Sequence, residues 1–342
     1  MNAYRKILIL QTAFAGDVIL VTPLARGVKQ IFPEAEVHFL VKPDTSNLLK
    51  NNPYINNVYT YDKRESERGI GALMRWMGNL RKEHFDVAFV PHRSLRSALL
   101  VWGAQIPRRV GFHRSAGSFL FTDVVPYLNE VHEVERNLQL LRIFSKDEVN
   151  FKPELYPGPE EKRAVDEFLQ EMKIEPDEKV LAMAPGSVWF TKRWFPQGFG
   201  EAADQVWRKW GIRSILIGGK EDEYLASQIV GEQNEFVVNG MGRFSLLKSA
   251  ELIRRCCAIL TNDSAPLHLA VAVGTPVVAI FGPTVPSFGF APYGEKHQVV
   301  QKDLDCRPCA IHGGQKCPEG HFRCMKDIAP CEVVEALERY FV

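Results

Sequence analysis

Residues 6–17 of the 342-residue chain read KILILQTAFAGD, running from Lys6 through Ile7-Leu8-Ile9-Leu10 to Gly16 and Asp17. Four consecutive aliphatics closed by small and polar residues predict a strand buried on both faces that turns directly into a helix. Outward from there, 36–41 (EVHFLV), 57–61 and 86–90 (DVAFV) repeat the strand signal, and 17–32, 46–52, 70–83 and 94–104 carry helical spacing. Continuous rather than alternating hydrophobicity, interleaved with helices, is what a parallel sheet covered on both faces requires. Three prolines and a glycine in 151–159 (FKPELYPGP) exclude regular structure and mark a linker. A second series follows, with strands at 180–184, 214–218, 258–261 and 276–281. Its helices fall at 159–173, 196–210, 221–231, 245–256 and 264–273, with a last amphipathic one at 331–340. The expected class is α/β: two doubly wound, Rossmann-like parallel-sheet domains, 1–155 and 156–342, with strand C-terminal ends facing a central cleft.

Composition narrows the function. Lys+Arg 42 against Asp+Glu 41 gives a net charge of +1, which excludes attachment to nucleic acid by bulk charge. At 46% apolar residues the chain is not of the disordered class, and no run of ~20 apolar residues is present to span a membrane. The apolar run after Met1–Lys6 is too short for a secretory signal. Seven cysteines, two of them adjacent at Cys256 and Cys257, fit a reducing compartment, so a cytoplasmic protein is expected.

Five strand exits carry the chemistry. In the first, Thr12 and Gly16 allow close approach of a substrate, and Asp17 either caps the helix or serves as a general base; the two roles are compatible. No G-x-G-x-x-G fingerprint accompanies it, so a dinucleotide site is not indicated. The second is 184–194 (APGSVWFTKRW), whose Ser187, Thr191, Lys192 and Arg193 suit an anion such as phosphate, unless the loop is merely a solvated basic one. In the third, 261–268 (TNDSAPLH), a helix N-terminus at Ser264, Ala265, Pro266 and Leu267 offers amide donors to the same anion. Asp263 there is a helix cap or a site acid, and His268 a buried core histidine or a site residue one turn from Ser264. The last pair, Gly282-Pro283-Thr284 and Gly218–Glu223, would line the same ligand, with Glu223 accepting from ribose hydroxyls or simply decorating a helix start.

In the first domain, 81–114 holds seven Lys/Arg against two acids. It includes Arg93, Arg96 and Arg109, and reads either as a solvated face or as a pocket for an anionic acceptor or an anionic membrane surface. Cys306-x2-Cys309-x7-Cys317-x6-Cys324 is the densest cysteine cluster. Structural zinc there, with His312 or His321 in reserve, is less favoured than reduced thiols because the second pair lacks short spacing.

Taken together, Thr12–Asp17 with VILVTPL after it, Arg93-Ser94-Leu95-Arg96-Ser97, residues 107–112 (PRRVGF), Ala184-Pro185-Gly186 with Lys192-Arg193-Trp194, Asn262–His268, Gly274-Thr275-Pro276 and 281–284 (FGPT) resemble glycosyltransferase family 9. These are the ADP-heptose:lipopolysaccharide heptosyltransferases, and the heptosyltransferase II branch is the most similar. The resemblance implies a GT-B fold with the nucleotide-sugar donor in the C-terminal domain and the acceptor in the N-terminal one. It implies Asp17 as catalytic base, Lys192 on the donor diphosphate, Asp263, Ser264 and His268 at the phosphate-binding helix, and Glu223 or a neighbouring acid on the ribose. The expected reaction is inverting transfer of a heptose from an ADP-sugar to a hydroxyl of the lipopolysaccharide inner core, needing no cofactor. Arg93, Arg96 and Arg109 would hold the acceptor's anionic groups, and the enzyme would work peripherally at the inner membrane. Two alternatives share the donor site: a nucleotide-sugar epimerase or hydrolase, and a non-enzymatic nucleotide-binding module.

Overall fold

A computed structural model describes residues 4–63, 66–146, 149–230 and 235–341. The chain divides into two compact units, Met1–Tyr156 and Pro157–Val342. In the first, strands β1 (Lys6–Leu10), β2 (Glu36–Val41), β3 (Asn57–Thr60), β4 (Val87–Val90), β5 (Arg108–Phe112) and β6 (Asp123–Val125) form one sheet in the order β3-β2-β1-β4-β5-β6. Every neighbouring pair is parallel. In the second, β7 (Val180–Ala184), β8 (Arg213–Leu216), β9 (Val237–Asn239), β10 (Ala258–Asn262), β11 (Val277–Phe281) and β12 (Gln298–Gln301) run β12-β11-β10-β7-β8-β9, again all parallel.

Both units therefore repeat the doubly wound order 3-2-1-4-5-6, each with a switch point beside its first strand. Burial explains why the central strands were visible in the sequence. Ile7–Leu10, Val87–Val90, Val180–Ala184 and Val277–Phe281 have almost no exposure, because helices cover both faces of each sheet.

The differences from the predicted elements are local. The helix expected at 17–32 is two, Ala15–Leu20 and Thr22–Ile31. Pro23 has no N–H to give the turn before it, and Thr22 Oγ1 donates to Ile19 O at 2.8 Å instead. The helix expected at 46–52 is a 3-10 segment, Pro43–Leu49. Strands β5, β6, β9 and β12 and the helix Glu133–Leu138 carry no strong apolar run and were not anticipated. The 221–231 helix runs Glu223–Ile229, and residue 231, like 1–3, lies outside the described residues. No described helix is long and apolar enough to cross a membrane.

On β5, Gly111 is required by close approach: a Cβ there would stand 2.2 Å from the Phe121 ring. Gly111→Ala is expected to destabilise the protein by about 1–3 kcal/mol in urea titrations, the usual cost of overpacking. An unchanged midpoint would show that the ring moves aside freely.

Candidate active site

In the first unit the loops leaving β1 and β4 meet at the switch point. Thr12 Oγ1 lies 3.2 Å from His92 Nδ1 and accepts from Lys63 Nζ at 3.1 Å. His92 Nδ1 is also 2.8 Å from Ser97 Oγ, which lies 2.9 Å from Ser94 Oγ, the cap of the helix Leu95–Gly103. Burial, reinforced by Lys63, Arg93 and Lys42, pushes the His92 pKa down to about 3, so the ring is uncharged at neutral pH. Asp17 sits in the first turn of its helix, where its Oδ2 accepts the Phe14 N–H at 3.1 Å. It is a capping carboxylate just past the C-terminal end of β1, with Gly16 immediately before it.

The cationic segment 81–114 separates into two groups. Arg93 stacks on Tyr127 at 4.5 Å and Arg96 donates to Tyr61 OH at 2.6 Å, both just past the C-terminal end of β4. Arg109 lies near the N-terminal end of β5, at the opposite edge of the sheet from Thr12 and Asp17. Its guanidinium donates to Leu120 O at 2.8 Å and Ile106 O at 2.6 Å. The structure does not bring it to the other proposed acceptor residues, because its side chain ties the β5–β6 connection. Sequence reasoning passed over Lys42, Lys63 and Glu133. A lone lysine after a strand carries no motif, and only the sheet order shows that β2 ends beside β1 and β3 beside β2.

In the second unit the equivalent position joins the loops after β7 and β10. Asn262 is fully buried; its Nδ2 donates to Pro185 O at 2.7 Å and its Oδ1 accepts the Trp194 N–H at 3.0 Å. That clamp aims the intervening loop so that Lys192 Nζ reaches Asp263 Oδ2 at 2.6 Å, with Thr284 Oγ1 donating to the same oxygen at 2.7 Å. Lysine, aspartate and threonine from three strand exits thus form one cluster, with Asp263 and Thr284 buried and the Lys192 side chain 12% exposed.

Around it, Ser187 and Thr191 are buried and Gly282 follows β11. Arg193 donates to Ser187 O at 2.7 Å and to Tyr224 OH. Ser264 precedes the helix Ala265–Val273, and His268 is buried on its first turn. The amide contribution is narrower than the sequence implied. Pro266 has no N–H and that of Leu267 donates to Ser264 O at 3.1 Å, which leaves Ser264 and Ala265 as the amides in question.

Of the three consecutive acids, Asp222 is half-buried against Gly186, whose Cβ would stand 2.3 Å from Asp222 Oδ2, and burial pushes its carboxyl pKa up. Glu223 is exposed and lies by Gly242. All seven cysteines are free. Cys309, Cys317 and Cys324 line one apolar pocket with Thr191 and Phe322, and Cys306 Sγ is 3.9 Å from His321 Nε2. Among the described residues, no three His, Cys, Asp or Glu side chains are grouped so as to hold a metal ion.

Two successive Rossmann-type units, the second with a cation-and-hydroxyl cluster at its switch point, define the GT-B class of glycosyltransferases. Residues 73–319 match glycosyltransferase family 9 (heptosyltransferase), and the chain belongs to that family. It is similar to lipopolysaccharide heptosyltransferase 2 of Escherichia coli, 26% identical with 97% of both chains covered. It is also similar to lipooligosaccharide heptosyltransferase 2 of Haemophilus ducreyi, 27% identical over 98% of this chain and 99% of that one. Among solved structures, a family 9 glycosyl transferase from Veillonella parvula superposes with a TM-score of 0.90 at 21% identity, over 100% of this chain and 98% of that one. The E. coli ADP-heptose heptosyltransferase II superposes at 0.81 and 25% identity, over 98% of each.

Buried Glu133 yields a test of the first unit's electrostatics. Burial, together with repulsion from Asp17, raises its carboxyl pKa to about 7 against the pull of Arg136. Because the folded value exceeds the unfolded 4.5, the fold holds a proton that the unfolded chain has released. Stability should therefore fall as pH rises between those two values. Urea midpoints across that interval should drop more for the wild type than for Glu133→Gln; parallel curves would contradict the assignment.

Proposed function

We propose that this chain is an inverting heptosyltransferase, moving a heptose from ADP-heptose to a hydroxyl of the anionic lipopolysaccharide inner core. The observation that carries the reading is the Lys192–Asp263–Thr284 cluster at the switch point of the second unit, in a chain matched end to end by heptosyltransferases 2. Those whole-length relatives set aside the epimerase, hydrolase and binding-module alternatives.

Asp17 takes the proton of the acceptor hydroxyl as its oxygen attacks the anomeric carbon. The bond to the diphosphate oxygen breaks on the opposite face, and its electron pair leaves with ADP. Lys192, the Ser264 and Ala265 amides, and the Ser187, Thr191 and Arg193 loop take up the charge that grows on the departing oxygen. Because that charge is larger in the transition state than in the bound donor, these groups accelerate transfer rather than merely retain substrate. The chemistry as written calls on no metal or other cofactor.

The adenosine ribose falls to the acidic turn 221–223. Asp222 is the acid that faces Gly186, so it is a stronger candidate than Glu223 for the ribose hydroxyls. Anionic groups of the acceptor meet Arg93 and Arg96, joined by Lys42 and Lys63 around Thr12. An acceptor built on lipid would bring the enzyme to the cytoplasmic face of the inner membrane as a peripheral protein.

Incubation of purified enzyme with ADP-, UDP-, GDP- and CMP-sugars and an inner-core acceptor tests the reading: only the ADP-sugar should be consumed, and only when acceptor is present. Rapid acceptor-independent consumption would favour a hydrolase or epimerase. Asp17→Asn should lower kcat by about 10²–10⁴ with donor binding little changed, and near wild-type turnover would remove Asp17 from the chemistry. Lys192→Ala should weaken donor binding and slow transfer together; a change confined to acceptor KM would place that loop on the acceptor instead.

A further inference from the structure

Arg307 lies in the cysteine-rich segment, to which the family resemblance gave no role. Its guanidinium donates to the carbonyl oxygens of Gly282 and Lys302, to Thr284 O at 2.8 Å and to Gln301 Oε1 at 3.0 Å. All four acceptors are neutral, and two of them belong to the loop that presents Thr284. The carbonyl of Pro283, between those two, accepts the Cys309 N–H at 2.9 Å. Residues 307–309 therefore grip three consecutive residues of the β11 exit.

The side chain of Thr284 donates to Asp263 Oδ2 at 2.7 Å, the oxygen that receives Lys192 Nζ at 2.6 Å. A few residues further on, Gly314 accepts the Thr191 N–H at 3.0 Å and returns its own N–H to Thr191 Oγ1 at 2.8 Å. One segment thus braces both loops that build the diphosphate cluster, and Arg307 is its most connected side chain. A planar guanidinium can serve several divergent carbonyls at once, whereas a lysine ammonium is a compact point charge on a flexible stem.

We propose that Arg307 is a positioning residue for the donor diphosphate: through Thr284 and Asp263 it fixes the place of the Lys192 ammonium. The proposal rests on reading this edge as the nucleotide-sugar site. Loss of the guanidinium leaves carbonyls without donors and frees the 282–284 loop, so the Asp263 carboxylate loses one of its two partners.

The test compares wild type, Arg307→Ala, Arg307→Lys, Lys192→Ala and the Arg307→Ala/Lys192→Ala pair by calorimetric titration with ADP and by steady-state transfer from ADP-heptose. Arg307→Ala is expected to weaken ADP about tenfold and lower kcat about 10–100-fold, with acceptor KM within about twofold of wild type. Arg307→Lys should recover little of this, and low concentrations of guanidinium, not methylammonium, should partly restore turnover of Arg307→Ala. On the Lys192→Ala background the Arg307 change should add little, because both act through one cluster.

Wild-type ADP affinity and kcat in Arg307→Ala would overturn the proposal. So would a uniform loss of donor and acceptor parameters that adds in full to Lys192→Ala. If Arg307→Ala does not fold, Arg307→Lys carries the same donor-selective criterion. Wild-type protein that binds neither ADP nor ADP-heptose would instead overturn the donor reading on which this rests.

Discussion

A lysine ammonium removed from water at the end of a parallel sheet must be held by something, and in this chain Asp263 holds it. Burying the pair costs more desolvation than a surface pair would, and its attraction repays this only because hydrogen bonds complete the cluster. Thr284 supplies one at 2.7 Å to the oxygen that Lys192 occupies at 2.6 Å. Asn262, fully buried one residue before Asp263, pins both ends of the intervening loop through Pro185 O and the Trp194 N–H. The ion pair is thus a poor source of stability and a good means of presenting one cation at a fixed point. On the donor-site reading proposed above, a diphosphate arriving there would meet a positive charge whose orientation has already been settled by folding.

The two units share a strand order and differ in what they place at the switch point. The first joins β1 to β4 through hydroxyls and an uncharged imidazole, with Lys63 on Thr12 and Arg93 nearby. The second joins β7 to β10 through an amide clamp and an ion pair. A neutral His92 is a product first of its burial and then of the surrounding cations, both of which disfavour a charge on the ring. The first switch point is thus hydroxyl-rich and cationic, and the second is built on an ion pair completed by a threonine.

How much of this was legible follows from how each part is encoded. The central strands announced themselves because a strand covered on both faces must be apolar throughout, as in Ile7–Leu10 and Val277–Phe281. The edge strands β6, β9 and β12 have three or four residues each and mixed exposure, so no run of hydrophobicity marks them. Lys192, Asp263 and Thr284 could be nominated because each follows a strand, yet their convergence on one carboxylate oxygen depends on sheet order, which no local pattern contains. Arg109 shows the reverse failure: its charge suggested a ligand, whereas its position at the start of β5 gave it backbone carbonyls to serve. Arg307 was invisible for the same reason, since its partners are backbone oxygens distant in the chain.

The most direct measurement is a crystal structure of the protein with ADP-heptose or a non-transferable analogue. The account predicts the diphosphate at the end of β7 and β10, an oxygen within about 3 Å of Lys192 Nζ, and the ribose toward the acidic turn that holds Asp222. A nucleotide bound elsewhere, with Lys192 and Asp263 undisturbed and out of reach of any phosphate oxygen, would contradict it.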